Sequence, residues 1–108
     1  MLVASVECQV KRDKRSEFVR TAEDLVAKLR HVSGCVECRL MTDCEVRGLY
    51  IVLSRWDDLI PLHRFLGSNE FRALLGTRIL LHNPPRVSVD EVQRHARLSS
   101  RGKLMLQS

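Results

Sequence analysis

His63, Trp56 and Tyr50 are the residues of this 108-residue chain whose types and spacing best suit chemistry on a small molecule. His63 stands in a short predicted helix. An imidazole titrates near neutral pH, so it can take a proton from an acidic hydroxyl. Tyr50, Val52, Ser54 and Trp56 recur at every second position and so share one face of a strand. If that face meets helices, the indole can stack on a flat ring and the phenol can orient it. The competing reading is structural, with both aromatics as core side chains and His63 as a half-exposed helix residue. The sequence leaves both open.

Cys35-Val36-Glu37-Cys38 has the spacing of a zinc half-site or a redox pair, with Cys8 and Cys44 elsewhere. A tetrahedral zinc site takes a second close pair of ligands, and His31, His63, His82 and His95 are dispersed. A redox pair wants its first thiol at a helix N-terminus. These cysteines fall in a predicted strand, where positions i and i+3 point to opposite faces. They are expected to act as small buried hydrophobes, unpaired in a reducing cytosol. No metal and no cofactor are expected. Nothing orients a cysteine–histidine pair for nucleophilic attack. Arg39 and Arg55, on predicted strands, would meet an acidic substrate group or form ion pairs across a dimer interface.

The elements that must position these residues follow from periodicity. Leu2, Ala4, Val6, Cys8 and Val10 alternate with Val3, Ser5, Glu7 and Gln9, the pattern of a half-buried strand. Phe18, Val19, Ala22, Leu25, Val26 and Leu29 form the apolar stripe of an amphipathic helix, with Asp13 as a candidate N-cap and Gly34 as its left-handed stop. Residues 35–42 and 49–56 read as strands of a hairpin. Asp57 or Asp58 and Ser68 offer caps for two short helices, separated by Gly67. Val87, Val89 and Glu91 or Val92 suggest a last strand, bulged near Asp90.

Strand, helix, two strands, helix pair and strand make an α+β, ferredoxin-like split β-α-β plan with an antiparallel sheet. Helices cover one sheet face only. The other, with Leu49, Ile51 and Leu53, is also apolar, so a homodimer is expected to cover it. The domain is expected over 1–96, with 97–108 a C-terminal tail or dimer arm.

Composition narrows the partners. The chain is 44% hydrophobic and 29% charged, enough apolar residues for a core. No apolar run approaches the roughly 18–20 residues of a membrane span. The N-terminus lacks the basic and apolar regions of a signal peptide, so a cytoplasmic protein is the default expectation. Lys and Arg total 18 against 13 acids, a net charge of +5. These charges spread from Lys11 to Lys103, and no strand face combines aromatic with basic residues. Nucleic acid is therefore not an expected partner.

Gly34-Cys35 after the first helix, the hairpin ending in Trp56-Asp57-Asp58, and the helix pair with Ser68-Asn69-Glu70-Phe71 together resemble the antibiotic biosynthesis monooxygenase domain family over about residues 2–92. The resemblance implies a dimeric α+β barrel with a small apolar cavity between sheet and helices. It also implies cofactor-independent oxygenation of a small planar aromatic, a quinol or anthrone. His63 would then be the base, with Trp56, Tyr50, Val52 and Phe65 lining the substrate. The alternative is a non-catalytic ligand-binding or regulatory dimer on the same scaffold. Quinol-type members pair the strand-end tryptophan, here Trp56, with an asparagine on the same face, where this chain has Val52. Haem-degrading members use a first-strand asparagine, and residues 1–10 contain none. At the position of the family's cavity-facing histidine stands Phe65. His63 lies two residues earlier, about 200° away around a helix.

Overall fold

The alternation at the N-terminus forms β1 (Leu2–Gln9), in which Ala4, Val6 and Cys8 are buried and the residues between and around them half-buried. The computed structural model describes residues 1–92 and the backbone of 95–98 and 104–107. After β1 come α1 (Arg15–Leu29), β2 (Cys35–Thr42), β3 (Leu49–Trp56), α2 (Leu59–Leu66), α3 (Asn69–Gly76) and β4 (Arg86–Glu91). These strands build one antiparallel sheet in the order β2-β3-β1-β4. The α+β, ferredoxin-like plan is therefore present, with β1 and β3 central and the helices on one face.

The helix face holds the core. Val6 faces Val52 across the β1–β3 ladder, and Cys8 faces Tyr50. Onto them α1 lays Phe18, Ala22, Leu25, Val26 and Leu29, all buried. Each large apolar side chain moved out of water this way contributes about 1.5–3 kcal/mol. The opposite face carries Val3, Ile51, Leu53 and Leu49, all half-buried. The two-sided apolar character read from β3 is thus real, and the described helices cover only one side.

Three details depart from expectation. Asp13 lies inside a short 3-10 turn, Arg12–Lys14, and α1 starts at Arg15 with no side-chain cap from Lys14. The helix ends at Leu29 with Arg30 as its C-cap, so Gly34 (φ +91°) serves the turn into β2 instead. β4 keeps an unbroken register with β1 from Leu2↔Glu91 to Glu7↔Arg86, without a bulge at Asp90. The bulge lies in β2, where pairing shifts between Cys35 and Glu37.

That bulge corrects the cysteine geometry. The residue inserted at Val36 restores the phase of the strand, so Cys35 opposes Trp56 and Cys38 opposes Ser54. Both thiols consequently lie on the helix side, with Cys38 2% exposed and Cys35 packed against the core. Burial pushes the Cys38 thiol up to about 12 and the Cys8 thiol up to about 11. Cys44 is exposed in the β2–β3 loop. A titration with a disulfide reagent at pH 8 is accordingly expected to modify one thiol rapidly. Cys8 and Cys38 should react only on unfolding, and Cys44→Ser should abolish the rapid phase.

β5 (His95–Leu98) pairs antiparallel with β6 (Leu104–Gln107) in a separate two-stranded sheet. Residues 93–94, 99–103 and 108 lie outside the described residues, and with them part of the expected tail or arm over 97–108.

Candidate functional site

Trp56 ends β3 between Leu2 of β1 and Cys35 of β2 and is 0% exposed. Its Nε1–H donates to Ser54 Oγ at 2.9 Å, and Ser54 donates in turn to the Ala4 carbonyl at 3.5 Å. The indole's one polar atom is thereby satisfied within the sheet, as a buried N–H requires.

Two caps bring further rings onto it. Asp58 accepts from the Leu59 amide at 2.7 Å and opens α2, and Pro61 stands in the first turn, where its missing N–H costs nothing. Leu62 and Phe65, one turn apart, then face the sheet together. Phe65 stacks on Trp56 with centroids 5.3 Å apart and planes 19° from parallel. Ser68 caps α3 through the Phe71 amide at 3.2 Å, and Phe71 meets Phe65 edge-on at 5.3 Å. Trp56, Phe65 and Phe71 form a column running from the sheet into the helix layer.

A cleft of about 250 Å³ opens beside this column, between the end of α1 and the α2–α3 pair. Leu29, Val32, Pro61 and Phe65 give it apolar walls, and Ser33, Arg64, Ser68 and Glu70 supply polar groups. A small aromatic molecule is of this size. Phe65 offers it a ring already fixed by stacking, and Arg64 offers a cation for a developing phenolate.

The residues expected from the sequence are distributed unevenly around this cleft. Phe65 lines it, and Trp56 lies directly behind Phe65. Val52 is 3% exposed in the core. Tyr50 is six positions before Trp56, about 20 Å along the strand. There it tilts against Phe18 at 5.4 Å and borders a different cleft. His63 is exposed, on the side of α2 away from Leu62 and Phe65, and does not line the Phe65 cleft. Trp56 and Phe65 are thus brought together, while His63 and Tyr50 stand apart from them.

Sequence reasoning missed Arg64, Ser33, Ser68 and Glu70. A signal was available for part of this set, because Pro61, Arg64, Phe65 and Ser68 are spaced i, i+3, i+4, i+7, one stripe of a helix. Arg39 and Arg55 have a partner within the sheet. Both pair with Glu37 of the same strand layer, Arg55 Nη1 at 2.7 Å from Glu37 Oε2. Among the described residues no three His, Cys, Asp or Glu side chains gather as a metal ion would need. No described helix is long and apolar enough to cross a membrane.

A four-stranded antiparallel sheet backed by helices on one face, with an apolar cleft at the helix side, defines a class of small α+β proteins. Residues 1–76, from β1 through α3, match the family model described as antibiotic biosynthesis monooxygenase, and the chain belongs to that family. Solved structures share the fold. Rv0793 from Mycobacterium tuberculosis superposes with a TM-score of 0.79 at 20% identity, over 89% of this chain and 98% of its own. PA3566 from Pseudomonas aeruginosa gives 0.70 at 26% identity, over 88% and 94%. A structure named antibiotic biosynthesis monooxygenase gives 0.77 at 18% identity, over 86% and 99%. No curated protein matches the chain.

Proposed function

We propose that this member of the family is a monooxygenase that takes a small planar aromatic, of the quinol or anthrone type, into the cleft at Phe65. The observation that carries this reading is the Trp56–Phe65 stack ending in an apolar cleft of about 250 Å³. Removal of a proton from such a substrate leaves an electron-rich anion able to reduce oxygen. For an anthrone, the ring methylene becomes a carbonyl. One oxygen atom stays in the product and the other leaves as water, both electron pairs coming from the substrate. In this reading Arg64, which lines the cleft, steadies the anion, and His63 acts as the base only when substrate binding brings it within hydrogen-bond reach, since it faces away from the cleft here.

The uncovered sheet face, with Leu49, Ile51 and Leu53, belongs to the same proposal as the meeting surface of a homodimer. So does a cytoplasmic location, where the thiols stay reduced.

A second reading, a non-catalytic ligand-binding dimer, is favoured by the placement of His63 outside the cleft. Oxygen uptake and tryptophan emission separate the two, since Trp56 is the single tryptophan and touches the residue that would contact the ligand. A catalyst consumes oxygen with at least one quinol or anthrone, and His63→Ala slows it about 10²- to 10⁴-fold. A binder changes Trp56 emission saturably without oxygen uptake. An unchanged rate in His63→Ala removes His63 as the base. Neither uptake nor an emission change removes the cleft as the site.

A further inference from the structure

We propose that a second cleft, between the first turns of α1 and the start of β3, is a binding site for a small organic monocarboxylate. The cleft holds about 410 Å³ and is lined by Arg15, Ser16, Val19, Arg20, Glu23 and Tyr50. It is independent of the Phe65 cleft, which shares none of these residues.

The central observation is Arg15. Its Nε is buried and has no hydrogen-bond partner among the described residues. A buried guanidinium N–H without an acceptor is a costly arrangement, and an oxyanion relieves it once the Arg15 side chain turns its fork toward the cleft. The guanidinium lies beside Gly48. A β-carbon at Gly48 (φ +79°) would lie 2.9 Å from Arg15 Nη2 and 3.0 Å from the Val10 carbonyl oxygen, so only glycine leaves room there. Gly48 is fixed in turn by accepting the Val10 amide at 2.8 Å.

The surroundings suit an anion with an apolar body. Arg15 is the first residue of α1, a position where the helix dipole favours negative charge. Arg20 adds a second guanidinium, and Ser16 and Tyr50 add hydroxyls. Val19 and the Tyr50 ring, held against Phe18 at 5.4 Å, supply apolar surface. The Glu23 carboxylate opposes negative charge. With two guanidiniums against one carboxylate, the lining carries a net single positive charge. That balance favours a monoanion over a phosphate dianion, and a planar carboxylate matches the fork of Arg15.

The test is a titration of the full chain with sodium benzoate and, separately, inorganic phosphate, followed by NMR shifts of the Arg15, Ser16 and Tyr50 amides. Saturable benzoate binding is expected, with phosphate weaker. Arg15→Gln should weaken benzoate about 10- to 100-fold, the loss of a charge-assisted hydrogen bond. Arg20 is exposed, so Arg20→Gln is a variant whose fold should persist, and it should weaken binding in the same direction. Glu23→Gln should narrow the gap between the two probes. Absence of saturable shifts at these residues overturns the site, as does benzoate affinity in both arginine variants equal to that of the parent chain. Phosphate binding tighter than benzoate overturns the assignment of a monocarboxylate.

Discussion

Trp56→Ala is expected to lower folding stability by about 3–5 kcal/mol, the range for emptying a large aromatic from a packed interior. The residue is 0% exposed, lies between β1 and β2, and carries the stacked ring of Phe65 at 5.3 Å. Its loss therefore opens a void at the joint between sheet and helices and releases Phe65 as well. For a domain of this size the melting temperature should fall by more than about 10 °C. Trp56→Phe separates the contributions, because it keeps a ring for Phe65 and gives up the bond from Nε1 to Ser54. That variant should lose about 1–2 kcal/mol. Circular dichroism melts of both variants check the prediction. A Trp56→Ala protein within about 1 kcal/mol of the parent would mean that the indole is not embedded as described.

The second large effect concerns Gly34. Its φ of +91° is a conformation that costs a residue with a β-carbon about 1–2 kcal/mol. A β-carbon there would also fall 2.4 Å from both Cβ and Cγ of Pro61. The turn into β2 and the first turn of α2 are packed backbone to ring, and an added methyl forces them apart at about 1–3 kcal/mol more. Gly34→Ala should therefore lose about 2–5 kcal/mol in urea titrations, the sum of the two effects. Repeating it in a Pro61→Gly background removes the collision and leaves the backbone cost. The penalty should then shrink to about 1–2 kcal/mol, a non-additivity that only direct contact produces. Equal penalties in the two backgrounds would show that the ring is not the obstacle.

Much of the fold could be read from the sequence because side chains repeat what the backbone does. β1, β2, β3 and α1 announce themselves in periods of two or 3.6, and Asp58 and Ser68 cap the helices assigned to them. The bulge at Val36 left no such trace, since one unpaired residue in an eight-residue strand alters neither composition nor length. The start of α1 was obscured because Asp13, a good cap by type, is consumed by a preceding 3-10 turn. The site was harder still. The aromatic residues declare themselves by type and spacing, but the chemistry of His63 says nothing of its orientation, which Leu62 and Phe65 set by turning the other way. The cleft itself joins the end of α1 to α2 and α3. No local pattern states how closely separate helices approach.

β4 has a consequence for the chain's behaviour in a crowded solution. All six of its residues are exposed, although Val87 and Val89 stand opposite Val6 and Ala4 of the core strand β1. It is held mainly by its backbone ladder to β1, so it belongs among the segments that open first by local unfolding. Each opening turns β1, the most apolar alternating strand, into a sheet edge with unpaired amides and carbonyls, a template for a foreign strand. Arg86, Asp90 and Glu91 on β4 place charges along the margin that a second chain would have to approach. The barrier to self-association thus rests on a strand that contributes little to the core and much to keeping β1 out of reach.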